Sequence, residues 1–209
     1  MPRVPFIDTE KAQGGARRVF QDQMKLRGRI STLWRTKGWA GNAVEYAWQF
    51  YKNLMAEPAE VENKKLTRTL REKIGLITSK SCGCTYCVSF HSSMLGQFGL
   101  SEEEVKKTID YQNSDIPDWE KKVLKFVEEA ATEPHKITDQ EFKQIRSLGF
   151  TNEEMVEIAE VIAMFVGIAR LVAILDIEPD EWLENPEYWL GPEETWPEEW
   201  HRYKLEPKV

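Results

Sequence analysis

Residues 66–99 read LTRTLREKIGLITSKSCGCTYCVSFHSSMLGQFG. Leu66, Leu70, Ile74 and Ile77 fall on one stripe of a helix spanning residues 66–79. Gly83 interrupts that helix, and another begins near Cys84 and ends at Gly99. Three cysteines, Cys82, Cys84 and Cys87, lie within seven residues, Ser81 to Cys87. An odd count in one place is not a framework that staples distant segments. In a reducing compartment such a cluster points to metal binding or thiol redox chemistry.

Outward from this stretch the signals stay helical. Residues 16–35 and 42–56 read as helices parted at Lys37-Gly38, and residues 117–131 as another. Ser101 with Glu104, Thr138 with Glu141 and Thr151 with Glu154 each have the spacing of a capping box. Gly99-Leu100-Ser101 and Gly149-Phe150-Thr151 echo each other, which a helix stop followed by a helix start explains without a true repeat. No run alternates as a strand does. The fold class is all-α, with a helical domain over residues 1–178 and an irregular tail over 179–209.

The tail carries Pro179, Pro186, Pro192 and Pro197 among Trp182, Trp189, Trp196 and Trp200. That proline density forbids a long helix. So many tryptophans imply that the tail straps onto its own core or a neighbouring subunit, with a lid over the active site as the alternative. Residues 161–177 are the most apolar run and read as a buried helix. Arg170 within it is expected in a buried ion pair or at an interface, with a substrate anion as the alternative partner.

The 209 residues are 41% hydrophobic and 30% charged, an ordinary globular composition, with a net charge of −7. The negative balance recommends neither nucleic acid nor an anionic membrane as partner. The amino terminus lacks the apolar stretch of a signal peptide, so a cytoplasmic location is expected.

Cys84, Cys87 and His91 stand at i, i+3 and i+7, within an arc of roughly 60° on one helix. Helical i and i+3 positions suit a disulfide. The helix start lowers a thiol pKa, and a histidine one turn on can move its proton. The same arc holds Val88, Leu95 and Phe98, so a buried face with inert cysteines fits it too. Cys82, Cys84, Cys87 and His91 are also possible zinc ligands, but His135 and His201 are isolated and supply no second cluster. Glu72 lies opposite the Leu66–Ile77 stripe, alongside Gly75 and Ser79, whose size would let a helix approach closely. Taken alone, it reads as a solvated surface residue.

Glu72, eleven residues, Cys84-x-x-Cys87, three residues and His91 together resemble the active-site signature of the AhpD-like alkylhydroperoxidases, within the carboxymuconolactone decarboxylase superfamily. Leu70-Arg71-Glu72, Gly99-Leu100-Ser101-Glu102-Glu103 and Phe165–Leu171 are similar to the family's flanking text, so the resemblance covers residues 66–177. It implies an all-helical protein that oligomerises as a trimer or hexamer and uses neither metal nor organic cofactor. By the same resemblance Cys87 is the peroxidatic thiol, Cys84 the resolving thiol, and Glu72 and His91 a proton relay through a water. The implied substrate is a small hydroperoxide, and the implied reductant an external dithiol or protein.

Helix-dipole reasoning alone favours Cys84 as the attacking thiol, whereas the histidine favours Cys87. Two features depart from the family pattern. Tyr86 stands where the best-studied branch has histidine, and Cys82 is extra. Cys82 reads as a small turn residue, with a competing disulfide or a second resolving role as alternatives. A non-catalytic redox sensor of the same fold is the rival reading. The decarboxylase branch is a further one, although it is not expected to carry the cysteine pair.

Overall fold

The computed structural model describes residues 2–55, 64–190 and 194. Ten α-helices and two short 3-10 turns make up the described secondary structure, and no strand occurs among these residues. Trp196 and Trp200, part of the expected strap, lie outside the described residues.

The first expected helix is two. α1 (Gly14–Arg27) ends where Gly28 takes a left-handed conformation, φ 67°, and its N–H bonds back to the Met24 carbonyl at 2.9 Å. Glycine adopts that conformation without a Cβ penalty, so it stops the helix although the apolar periodicity continues past it. α2 (Thr32–Lys37) resumes four residues later, and α3 (Ala43–Met55) follows a 3-10 turn. α1 packs on α3, and Trp34, Trp48 and Tyr51 meet there with ring centroids 5.0–5.9 Å apart.

α4 (Arg68–Ser81) is the hub. It packs against α5 (Thr85–Gln97), α7 (Asp118–Thr132) and α9 (Asn152–Leu175), and also touches α6 (Glu102–Ile109). Leu66, Leu70, Ile74 and Ile77, the stripe read from sequence, are all buried in the main core with Val123, Ile158 and Phe165. Leu76 and Val88 form a smaller core with Leu95, Val105 and Ile109. The three capping boxes form as the spacing predicts, opening α6, α8 (Asp139–Ser147) and α9. The third does more than cap. Glu154 is buried, and its Oε1 also accepts the N–H groups of Lys65 (2.7 Å) and Leu66 (2.8 Å). One carboxylate thus ties the start of α9 to the segment leading into α4.

α9 is long and apolar enough to cross a membrane by length and composition. Here one side of it, with Ile158, Val161, Phe165 and Ala169, faces the core. Its other side is open: Val156 is 62% exposed and Ile174 63%. Arg170 lies on that open side, which corrects the expectation of a buried ion pair. A helix apolar all round need not be buried all round, and the arginine marks the uncovered stripe.

Beyond α9 the chain runs over α2 and α5. Asp180 Oδ1 accepts the Thr32 N–H (2.7 Å), and its Oδ2 accepts the Tyr86 hydroxyl (3.0 Å). Trp182 lies 6.2 Å from Phe90, ring to ring, beneath the Arg29 guanidinium. α10 (Pro186–Leu190) is only five residues long, as its opening proline and proline-rich surroundings lead one to expect, and Trp189 packs on the smaller core.

Candidate active site

α4 and α5 form a hairpin through Cys82 and Gly83, and the candidate residues lie along its inner seam. Cys84 is not inside the helix but is its N-cap, with its sulfur accepting the Cys87 N–H at 3.3 Å. Cys84 and Cys87 are joined as a disulfide with Cα atoms 5.3 Å apart, a separation ordinary for that bond. Both are buried, Cys84 7% and Cys87 2% exposed.

One turn beyond Cys87, His91 is fully buried. Its Nδ1 stands 2.6 Å from Oε2 of Glu72, itself fully buried. Glu72 is therefore no surface residue, contrary to what its type alone suggests. The other oxygen, Oε1, accepts a hydrogen bond from Arg68, one turn earlier on α4. Burial pushes the Glu72 carboxyl up, but His91 and Arg68 outweigh it and hold the carboxyl below its usual range. An ionised carboxylate can only accept, so Nδ1 carries the proton in the neutral ring and Nε2 is left as the base. That Nε2 is buried and has no partner among the described residues.

The ring is fixed from several sides. Phe165 of α9 meets it edge-on at 4.2 Å and Phe90 at 5.4 Å. Beneath it lies Gly75, where an added Cβ would come within 2.5 Å of the imidazole. Gly75 therefore lets the two helices close until histidine and glutamate touch.

The two sulfurs open onto different spaces. Cys87 and His91 line an inner cavity of about 20 Å³, walled by Trp34, Tyr51, Phe90 and Phe165. That is little more than one water molecule requires. Cys84 instead lines an outer cleft of about 200 Å³ together with Cys82, Val172 and Ile177. Cys82 is a free, half-buried thiol. Burial pushes it up, with Arg170 acting in the opposite sense. A thiol so held is a poor nucleophile near neutral pH.

Tyr86 is buried between the cysteines and bonded to Asp180. Burial, and then the Asp180 charge, push its phenol far above the usual value. It anchors the segment after α9 and is not equipped to relay a proton.

Sequence reading brought together Glu72, Cys84, Cys87 and His91; in the structure Glu72 contacts His91, Cys84 is joined to Cys87, and Cys87 and His91 line one cavity. It missed Arg68, although an Arg-x-x-x-Glu spacing on a helix was a usable signal. It also missed the aromatic wall, whose members come from four separate helices and share no local pattern.

This is a helical-hairpin dithiol site backed by a buried carboxylate–imidazole pair. Residues 45–115 match the model of the carboxymuconolactone decarboxylase family. The sequence matches no curated protein. Among solved structures, the alkylhydroperoxidase AhpD core of a peroxidase-related protein from Ralstonia eutropha JMP134 superposes with a TM-score of 0.76 at 22% identity, covering 90% of this chain and 95% of that one. A peroxidase-related protein from Silicibacter sp. TM1040 gives 0.73 at 17%, covering 85% and 90%. The debrominase Bmp8, as a variant in complex with 2,3,4-tribromopyrrole, gives 0.73 at 21%, covering 90% and 95%. About a third of the chain thus matches that family's model, and the fold over most of its length is the one these AhpD-like structures share.

Proposed function

We propose that the protein is a thiol-dependent peroxidase that cycles between dithiol and disulfide at Cys84 and Cys87. The observation carrying this reading is the division of the two sulfurs. Cys87 faces the inner cavity with His91, and Cys84 faces the outer cleft.

In the reduced protein His91 Nε2 takes the Cys87 proton, directly or through one water, while Glu72 supports the imidazolium. The Cys87 thiolate attacks the nearer peroxide oxygen. An S–O bond forms, the O–O bond breaks, and the leaving alkoxide recovers a proton from His91 as the alcohol. Cys87 is then a sulfenic acid. The Cys84 sulfur attacks it, the S–S bond forms as the S–O bond breaks, and the hydroxyl leaves as water with the proton given up by the Cys84 thiol. An external dithiol restores the pair by attacking Cys84 from the outer cleft, the side on which it is accessible.

This assigns Cys87 as peroxidatic thiol and Cys84 as resolving thiol, with Glu72 and His91 as the relay and Cys82 outside the cycle. The same reading includes a cytoplasmic homo-oligomer, trimeric or hexameric, for which the exposed Val156 and Ile174 on α9 supply apolar surface. Sedimentation of the full chain tests that part.

The test of the chemistry is rapid mixing of the reduced protein with tert-butyl hydroperoxide, followed by mass mapping. Stoichiometric Cys84–Cys87 disulfide formed far faster than a free thiol reacts is the expected result. Reaction at the free-thiol rate would end the peroxidase reading.

A second reading draws on the aromatic wall and on the debrominase neighbour. The same dithiol could replace a ring C–Br by C–H, becoming a disulfide and releasing bromide and a proton. Bromide release from 2,3,4-tribromopyrrole by the reduced protein, absent for Cys87→Ser, would favour it.

A further inference from the structure

Arg27, the last residue of α1, stands over three aromatic faces: Tyr51 at 5.2 Å, Trp48 at 5.4 Å and Phe90 at 5.9 Å from guanidinium carbon to ring centre. Tyr51 and Phe90 also line the inner cavity at Cys87. On its other side Arg27 lines a cleft of about 550 Å³ that Tyr51 shares, walled by Trp48, Met55, Met94 and Phe98. The guanidinium therefore stands above rings of which Tyr51 borders both the cavity at the reactive sulfur and a space large enough for a small organic molecule.

Three cations line this cleft: Arg27, Lys52 and Arg68. Two are already matched, Lys52 by Asp22 at 2.7 Å and Arg68 by Glu72. Arg27 is not. Among the described residues its hydrogen-bonding partner is the Tyr51 phenol, 2.9 Å from Nη2; no carboxylate makes an ion pair with it, and the charge of Glu72, already bonded to Arg68 and His91, acts on it only through space. A guanidinium has five N–H donors, and a half-buried one ordinarily finds an anion. The aromatic faces hold the cation in place but offer it no acceptor oxygen.

We propose that Arg27 is a substrate-binding residue that captures the carboxylate of a small apolar or aromatic acid lying in this cleft of about 550 Å³. The inner cavity admits little more than the reactive end of such a molecule. Its body rests against Trp48, Met55 and Phe98, and its carboxylate meets the Arg27 fork. The preferred substrate class is thus an organic acid bearing the electrophilic group, a hydroperoxide if the peroxidase reading holds, with neutral alkyl hydroperoxides accepted but bound more weakly. The use of the site rests on that reading; the anion site itself does not.

The test is binding to the full chain in its disulfide form, which requires no peroxide chemistry. The probes are 3-phenylpropionate and its neutral amide, followed by titration calorimetry and by tryptophan fluorescence, since Trp48 lines the cleft. The acid is expected to bind at least tenfold more tightly than the amide, with the difference shrinking as salt is raised. Arg27→Gln should remove the acid's advantage and leave the amide unchanged, while Arg27→Lys should retain part of it. Equal binding of acid and amide, no binding of either at millimolar concentration, or an undiminished preference in Arg27→Gln would each overturn the proposal. If Arg27→Gln fails to fold, Arg27→Lys and the wild-type acid–amide difference still decide. A protein inert to hydroperoxides that nevertheless selects the acid would sink the peroxidase reading alone.

Discussion

The imidazole of His91 lies directly against Gly75, so that a Cβ on Gly75 would stand 2.5 Å from Cε1 and 2.8 Å from Nε2. The contact is between ring and helix backbone, and it sets how deeply α5 seats on α4. Because Glu72 lies three residues before Gly75 on the same helix, the seating distance is also the hydrogen-bonding distance between Glu72 and His91.

Gly75→Ala tests this. In an open helix the change would stabilise by about 0.5–1 kcal/mol. Here the methyl meets a ring held by Phe165 and Phe90, and overpacking of this kind costs about 1–3 kcal/mol. The expected outcome is a lower urea midpoint with an unchanged slope, and disulfide formation roughly 100-fold slower if the imidazole is displaced from Cys87. A more stable variant of unchanged rate would show that the ring moves aside freely.

Acid should weaken the fold through Glu72. In an unfolded chain a glutamate titrates near about 4.3. In the folded protein His91 and Arg68 hold Glu72 lower. The ionised form therefore favours folding, fully above the unfolded value and progressively less as pH falls through the folded one. Glu72→Gln is expected to cost roughly 3 kcal/mol at pH 7, because it leaves Arg68 facing a neutral amide. Denaturation curves at pH 7, 5, 4 and 3 should show the wild-type advantage shrinking below about pH 4.3. An advantage independent of pH would mean that Glu72 is neutral in the fold.

The three cysteines should separate in mass mapping. Cys84→Ser and Cys87→Ser are expected to abolish the intrachain disulfide. Only Cys84→Ser should leave Cys87 trapped as sulfenic acid after peroxide. Cys82→Ser should retain most of the rate, since burial raises that thiol and it lies in the outer cleft. Sulfenic acid trapped at Cys84 instead would reverse the assigned roles.

Asp180 joins the segment after α9 to the site by accepting the Thr32 N–H and the Tyr86 hydroxyl. Asp180→Ala strands the buried Tyr86 hydroxyl and the half-buried Thr32 N–H, at about 1–3 kcal/mol. Burial pushes the Asp180 carboxyl up, so the charge itself is held at a cost. Asp180→Asn keeps one acceptor oxygen without that charge and should fall within about 1 kcal/mol of wild type. Thermal melts of the two variants give the comparison.

Much of this protein is legible in its sequence because the deciding signals are local. Apolar residues at helical spacing, serine or threonine three residues before glutamate, and two cysteines three apart each act within a turn or two of chain. The core stripe on α4 and the three capping boxes form as read. The break at Gly28 was missed because apolar periodicity does not register a left-handed residue. The buried ion pair expected for Arg170 did not form because composition tells how apolar a helix is, not which of its sides the core covers. The remaining features depend on distant segments meeting. Glu72 looks like a surface glutamate until Gly75 lets His91 reach it. Arg27 looks like an ordinary helix-end arginine until α3 and α5 bring three rings beneath it. The two sulfurs of one short motif face different spaces only because α9 and the segment beyond it close one side of Cys84, while α2 and α3 enclose Cys87. Local sequence carries the identity of the reacting groups, since chemistry depends on atom types. Their burial, charge state and access are set by packing between segments far apart in the chain.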